Sequence, residues 1–338
     1  MSNVHYITLL GIESSCDDTS AAVLQNGKML SNVVATQDVH LKYGGVVPEL
    51  ASRSHQKNIV PVIDEALKQA GVQLNALDGI AYTQGPGLLG SLLVGSSFAK
   101  GLALSINKPL IAVNHLEAHV LSPLIENPDL KLPYLCLLVS GGHTQIVQVN
   151  SVKDIQTLGK TIDDAAGEAF DKVAKILGLP YPGGPLIDRY AKEGDPSVYR
   201  YNIGKAPGLN FSFSGFKTSV LYAVRDALQK DATFVESNLS DICASAQFTI
   251  VDYLIKKIMN ASKLTGIKTI SIAGGVAANS FLRSQLQTTA GKLGWKLLIP
   301  SFEYCTDNAG MIANAGYYKY LASDFENLGS KSFANSNV

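Results

Sequence analysis

One short pattern occurs twice along these 338 residues, and it limits the folds open to the chain. Residues 6–12 form an apolar run, residues 13–19 a loop of small polar and acidic residues, residues 21–24 a second apolar run, and Asn26-Gly27 a turn. Asn-Gly between apolar runs is a strong hairpin signal, because both residues tolerate the positive φ of a tight two-residue turn. The pattern returns at residues 134–139, with a loop at 140–144, a strand at 145–149 and a turn at Asn150-Ser151. A supersecondary unit repeated near the start and near the middle implies two copies of one ancestral lobe.

Strands alternate with helical periodicity elsewhere. Residues 59–68 repeat their apolar positions as a helix does, 79–83 read as a strand, and 88–104 as a helix rich in small residues after Gly85-Pro86-Gly87. In the second half, 163–177 reads as a helix, and the strand 268–273 runs through Gly274-Gly275 into a helix from Ser280. The last helix is expected near Asp307, and the Ser/Asn-rich stretch 329–338 is expected to fray. This alternation predicts an α/β architecture. The length exceeds what one hydrophobic core usually serves, so two domains are expected: 1–130, 131–325 and a tail 326–338, with the helix after about 307 packing back on the first.

Lys plus Arg equals Asp plus Glu at 28 each, so no global field draws the chain to a polyanion, and any nucleic acid must be met by a local patch. The N-terminus lacks the pattern of a signal peptide and no apolar run approaches a bilayer span, which predicts a cytoplasmic protein with no membrane partner. The cysteines at 16, 136, 243 and 305 form no Cys-x-x-Cys pair, which argues against a zinc ribbon.

The densest chemistry lies in His115 and His119, within Asn114-His-Leu-Glu-Ala-His119. Positions i and i+4 share one helix face, so both imidazoles can reach one ion; two histidines lining a helix without metal are the plain alternative. Glu117 stands two residues after His115, on another face, which weakens a zinc-protease reading that needs glutamate directly beside the first histidine. Asp307 falls where a helix should begin, the place of an N-cap, and spacing alone does not assign it to a metal. Asp17 and Asp18 are either solvated turn residues or carboxylates serving as base or positioning groups.

Glycines at 141–142, 183–184 and 274–275 follow or flank predicted strands, where missing Cβ atoms let backbone N–H groups approach phosphate. One such pair is usually a tight turn; three in one half of the chain favour a nucleotide site, although none is a Walker loop or dinucleotide fingerprint. Between Arg189 and Arg225, six basic residues (189, 192, 200, 205, 217, 225) outnumber two acids (193, 195), with aromatics interleaved, among them Tyr199, Tyr201, Phe211, Phe213 and Phe216. This is either an RNA-binding surface or a solvated loop whose aromatics enter the core.

Taken in order, the blocks 11–19, 85–92, 114–119, 138–144, 168–172, 181–185, 211–218, 274–279 and 305–308 span nearly the whole chain and resemble the TsaD family. Its members are catalytic subunits of tRNA N6-adenosine threonylcarbamoyltransferase, once described as O-sialoglycoprotein endopeptidases. The resemblance implies a two-lobed fold similar to actin, Hsp70 and sugar kinases, with duplicated mixed-sheet lobes around a nucleotide cleft. It implies a divalent metal, iron first and zinc as the alternative, on His115, His119 and Asp307. Substrate contacts carry over to Leu138, Val139, Ser140, Gly141, Gly142, Asp171, Gly184, Asp188 and Asn279.

The implied reaction moves a threonylcarbamoyl group from L-threonylcarbamoyladenylate to N6 of adenosine 37 in tRNAs reading codons that begin with A, with Asp17 as candidate base. Implied partners are tRNA, a TsaB-like paralogue, a TsaE-like ATPase and, in some members, a second copy. A kinase or ATPase of the same fold, or a non-catalytic assembly subunit, are the competing readings.

Overall fold

A computed structural model describes residues 6–335. The chain runs β1 (Thr8–Glu13), β2 (Thr19–Gln25), β3 (Lys28–Ala35), α1 (Pro48–Ala70), β4 (Gly79–Gly85), α2 (Leu89–Ser105), β5 (Leu110–Asn114), α3 (His115–Leu121) and α4 (Pro123–Glu126). It continues through β6 (Tyr134–Val139), β7 (Thr144–Ser151), β8 (Asp154–Lys160), α5 (Ala166–Ile176), α6 (Gly183–Ala191), α7 (Ser214–Leu228), α8 (Phe234–Thr265), β9 (Thr269–Ala273), α9 (Ser280–Leu293), β10 (Lys296–Leu298) and α10 (Ala309–Leu321). Two compact units divide it: Met1–Leu130 with Pro300–Val338, and Lys131–Ile299.

Each unit holds one five-stranded sheet, ordered β3-β2-β1-β4-β5 in the first and β10-β9-β6-β7-β8 in the second. Read from its other edge, the second repeats the first strand for strand. In both, the leading strand pairs antiparallel with its hairpin partner and parallel with the strand that returns after helices. The Asn26-Gly27 turn joins β2 to β3 with positive φ at both residues, as the sequence predicted. Helices connecting parallel strands are what a mixed α/β sheet needs, since parallel neighbours require a crossover.

The sheet of the first unit is buried on both faces, and residue parity decides which side chain goes where. Leu10, Ile12, Ala21 and Val23 join α1 and α2 residues such as Ile59, Val62 and Ala99 in one core, while Ala22 and Leu24 pack against Ala309 and Ala313 of α10 on the other side. Gly11 is what lets α10 approach: a Cβ there would lie 2.6 Å from Ala309 O and 2.7 Å from Ala313 N. This contact fixes the start of α10, and with it Asp307, against β1. In the second unit Phe211, Phe213 and Tyr253 form an aromatic cluster with centroids 5.6–6.3 Å apart.

Residues 329–335 do not fray. Phe333 N–H donates to Gln84 O at 3.2 Å and Gly87 N–H to Ala334 O at 3.1 Å, so backbone pairing outweighs the polar composition; residues 336–338 lie outside the described residues. Among the described residues no helix is long and apolar enough to cross a membrane.

Candidate metal centre

The histidine pair sits on α3, a helix started by its own sequence: Asn114 caps it, its side-chain oxygen accepting from Leu116 N–H at 2.9 Å and Glu117 N–H at 3.3 Å. One turn of helix then stacks the rings edge to face, with centroids 4.7 Å apart. Across the first unit, Asp307 reaches them: its Oδ1 lies 3.0 Å from His119 Nε2 and 3.5 Å from His115 Nε2. Asp307 is not the cap of α10. That role falls to Asn308, whose Oδ1 accepts from Met311 N–H at 3.1 Å. The Asp307 carboxylate instead faces the two histidines.

Glu13, at the end of β1, is the residue that sequence reasoning missed. It is fully buried and meets three donors: Ser15 N–H at 2.5 Å, the Thr83 hydroxyl at 2.7 Å and His115 Nδ1 at 3.0 Å. Ser15 Oγ adds a second contact to the same Nδ1 at 3.2 Å. A carboxylate accepting at Nδ1 keeps a proton there, so that in the neutral ring the lone pair lies on Nε2, the nitrogen on the Asp307 side. Its signal in the sequence was an acid ending an otherwise apolar strand. His119 Nδ1, in contrast, is buried with no hydrogen-bond partner among the described residues.

The electrostatics follow from crowding acids around two rings. Burial opposes charging His115, yet Glu13 and Asp307 outweigh it and push the imidazole up to about 9. Burial likewise disfavours a charged Glu13, but His115 beside it holds the carboxyl below its ordinary value. Asp18 has no such partner: burial first, then the charges of Asp17 and Asp307, push it up to about 7. Two imidazole nitrogens and one carboxylate oxygen, all within 4.8 Å of one another, fit a divalent ion with open positions for another ligand. Asp17, the candidate base, lies in the neighbouring β1–β2 loop, partly exposed.

The nucleotide candidates fall in the second unit, linked through its helices. Leu138 and Val139 end β6; Ser140 closes a turn in which its N–H donates to His143 O at 2.8 Å, leaving Gly141 and Gly142 exposed. Gly167 N–H, on α5, donates to Ser140 O at 3.2 Å. Further along α5, Asp171 accepts from Gly183 and Gly184 N–H at 2.8 and 3.3 Å, capping α6. Asp188 of α6 accepts from Ser280 N–H at 3.2 Å and its hydroxyl at 2.9 Å, while Asn279 caps α9 and donates to Gln247 at 2.7 Å. A cavity of about 300 Å³ lies beside them, lined by Lys192, Gln247, Ser280 and Phe281.

The basic and aromatic stretch divides. Phe211, Phe213 and Phe216 are fully buried and belong to the core, whereas Tyr222 is exposed on α7 with the Arg225 guanidinium 4.6 Å above its ring.

Two sheets of identical strand order with intervening helices define an α/β protein built from a duplicated mixed-sheet unit. The crystal structure of T. kodakarensis HypF shares the fold, with a TM-score of 0.61 at 14% identity over 98% of this chain and 49% of that one. The chain belongs to the TsaD family: the family model for tRNA N6-adenosine threonylcarbamoyltransferase matches residues 28–314. Relatives carrying that name include one from Christiangramia forsetii, 60% identical over 322 residues (94% of this chain, 95% of the relative). Another, from Porphyromonas gingivalis, is 56% identical over 324 residues, covering 94% of this chain and 95% of the relative.

Proposed function

We propose that this chain transfers the threonylcarbamoyl group of L-threonylcarbamoyladenylate to N6 of adenosine 37 in tRNAs reading codons that begin with A, releasing AMP. Membership of the TsaD family supports the tRNA substrate and the transfer, and the convergence of His115, His119 and Asp307 carries the reading. N6 is a weak nucleophile because its lone pair is delocalised into the purine ring, so the donor carbonyl must be activated. In the step, a bond forms from N6 to the carbamoyl carbon, the bond from that carbon to the adenylate oxygen breaks, the AMP phosphate keeps the electron pair, and the amine loses a proton.

His115, His119 and Asp307 would hold the metal, iron first or zinc, and the bound ion would supply charge stabilisation and orientation for the threonylcarbamoyl end. Glu13 fixes the ring of His115. Exposed backbone at Gly141 and Gly142, with Gly184, Asp171, Asp188 and Asn279, would bind the AMP moiety, whose phosphate suits glycine-lined backbone. Asp17 would position or deprotonate the amine. Cooperation with a TsaB-like paralogue and a TsaE-like ATPase, or with a second copy, belongs to this proposal, as does action in the cytoplasm.

The test is transfer of radiolabelled threonylcarbamoyl from synthetic L-threonylcarbamoyladenylate to tRNA, with and without partner proteins. His115→Ala and Asp307→Ala are expected to lose transfer while keeping the far-UV circular dichroism of the parent. Full transfer by both variants overturns the reading.

A further inference from the structure

The last described residues are fastened along the first unit by a series of contacts to β4, β5, α2 and the loop after β4. Glu326 pairs with the free edge of β5, its N–H donating to Leu110 O at 2.8 Å. Ser330 is gripped twice: its hydroxyl meets the Tyr82 hydroxyl at 2.8 Å, and its carbonyl accepts from Lys100 Nζ at 2.5 Å. Phe333 then crosses Gly85 so closely that a Cβ there would lie 2.8 and 3.0 Å from its ring carbons. Glycine at 85 is the condition for this crossing. Together with the Phe333–Gln84 and Gly87–Ala334 backbone bonds, these contacts fix residues 84–87 from outside.

Those four residues and the two that flank them, Thr83 and Leu88, reach the surroundings of His115 at three points: Glu13, Ser15 and Asn114. Thr83, directly before them, donates to Glu13 Oε2, which holds His115 Nδ1. Leu88 N–H, directly after them, donates to Ser15 O at 2.7 Å, and Ser15 Oγ meets the same Nδ1. Gly87 is packed against Ser15, whose Cβ would lie 2.8 Å from a Cβ placed there. Finally, Gly85 stands opposite Asn114, the cap of the histidine helix, in the β4–β5 register. Glu13, Ser15 and Asn114, which hold the His115 ring or cap its helix, are thus each in contact with residues 83–88, the stretch that residues 326–335 clamp.

We propose that residues 326–335 form a positioning strap for the metal centre, with Ser330 and Phe333 as positioning residues that hold Gln84–Gly87, and through it Glu13, Ser15 and Asn114, in register with His115. The inference rests on the metal reading of His115, His119 and Asp307. Partners of a ligating histidine typically contribute ~10–100-fold to metal affinity; the strap acts one contact further out, so its removal is expected at the lower end, about tenfold.

The experiment compares the parent with Phe333→Ala, Phe333→Leu and a chain ended after Leu328. Three quantities are measured: Zn²⁺ affinity against a competing chelator, amide exchange at Leu88, and melting temperature. Phe333→Ala and the shortened chain are expected to bind Zn²⁺ about tenfold more weakly and to exchange Leu88 N–H faster, with Phe333→Leu close to the parent. A synthetic peptide of residues 326–338 should restore affinity to the shortened chain. Lower melting temperature with Zn²⁺ affinity and Leu88 protection unchanged would make the strap merely structural and overturn the inference. Should the shortened chain not fold, Phe333→Ala decides alone. A parent that binds no Zn²⁺ or Fe²⁺ refutes the metal reading instead, so the two failures are distinguishable.

Discussion

Glu13→Gln is the most informative single substitution, because it keeps the shape of the side chain and removes only its charge and one acceptor. The carboxylate takes three donors in a fully buried site: Ser15 N–H, the Thr83 hydroxyl and His115 Nδ1–H. A glutamine has one acceptor oxygen, so its NH₂ must face at least one of those donors, leaving a buried group unsatisfied at about 1–3 kcal/mol of stability. The His115 ring is then less firmly held, and zinc or iron affinity should fall ~10–100-fold, equivalent to about 1.4–2.7 kcal/mol. In the metal-free protein the imidazole, now opposed by burial with Asp307 alone to offset it, should titrate well below about 9. A competitive chelator titration reads the affinity, and NMR of the His115 ring reads the titration. Affinity within about twofold of the parent, with His115 still titrating near 9, would refute the reasoning that Glu13 orients and charges this ring.

Metal-free protein should show a stability plateau set by the same pair. His115 is raised from 6.5 to about 9, so its contribution is complete below 6.5 and lost as pH rises through 9; Glu13 is lowered from 4.5, so its contribution is present above 4.5 and lost as pH falls. Melting temperature against pH checks this, and His115→Gln should flatten the alkaline limb. Asp18, raised from 3.8 to about 7, penalises folding increasingly as pH rises through that range, so Asp18→Asn should raise the melting temperature at pH 8 and change it little at pH 4. Gly11→Ala drives a methyl into the backbone of α10 and should cost ~1–3 kcal/mol, read as a lower urea midpoint; an unchanged midpoint would contradict the close packing of α10 on β1.

Local grammar carried much of this structure. The Asn26-Gly27 hairpin, the duplicated strand–loop–strand unit and the one-face spacing of His115 and His119 were all legible, because each depends on residues within a few positions of one another. What lay beyond reach was long-range or half-exposed. Asp307 joins the histidines across 188 residues of chain, and only the family resemblance suggested it. Glu13 escaped because a buried acid is readable only once its three donors, from Ser15, Thr83 and His115, are known. The helix placed at 163–177 begins at Ala166, since Asp163 is spent on Ser212, Phe213 and Ser214 at the start of α7. β8 went unread because most of its residues are at least partly exposed and lack clean alternation, and α8 because its buried positions spread round much of its surface. Residues 329–335 looked loose by composition, yet their order comes from the partners at Gln84, Gly87 and Lys100.

The central claim is that His115, His119 and Asp307 together hold one divalent ion. Anomalous diffraction at the metal edge, on crystals of chain loaded with zinc or iron and active in transfer, tests it directly. One peak is predicted about 2.0–2.2 Å from an imidazole nitrogen of each histidine and from Asp307 Oδ1. An active protein whose metal sits elsewhere, or whose three residues bond only to one another, would contradict the account.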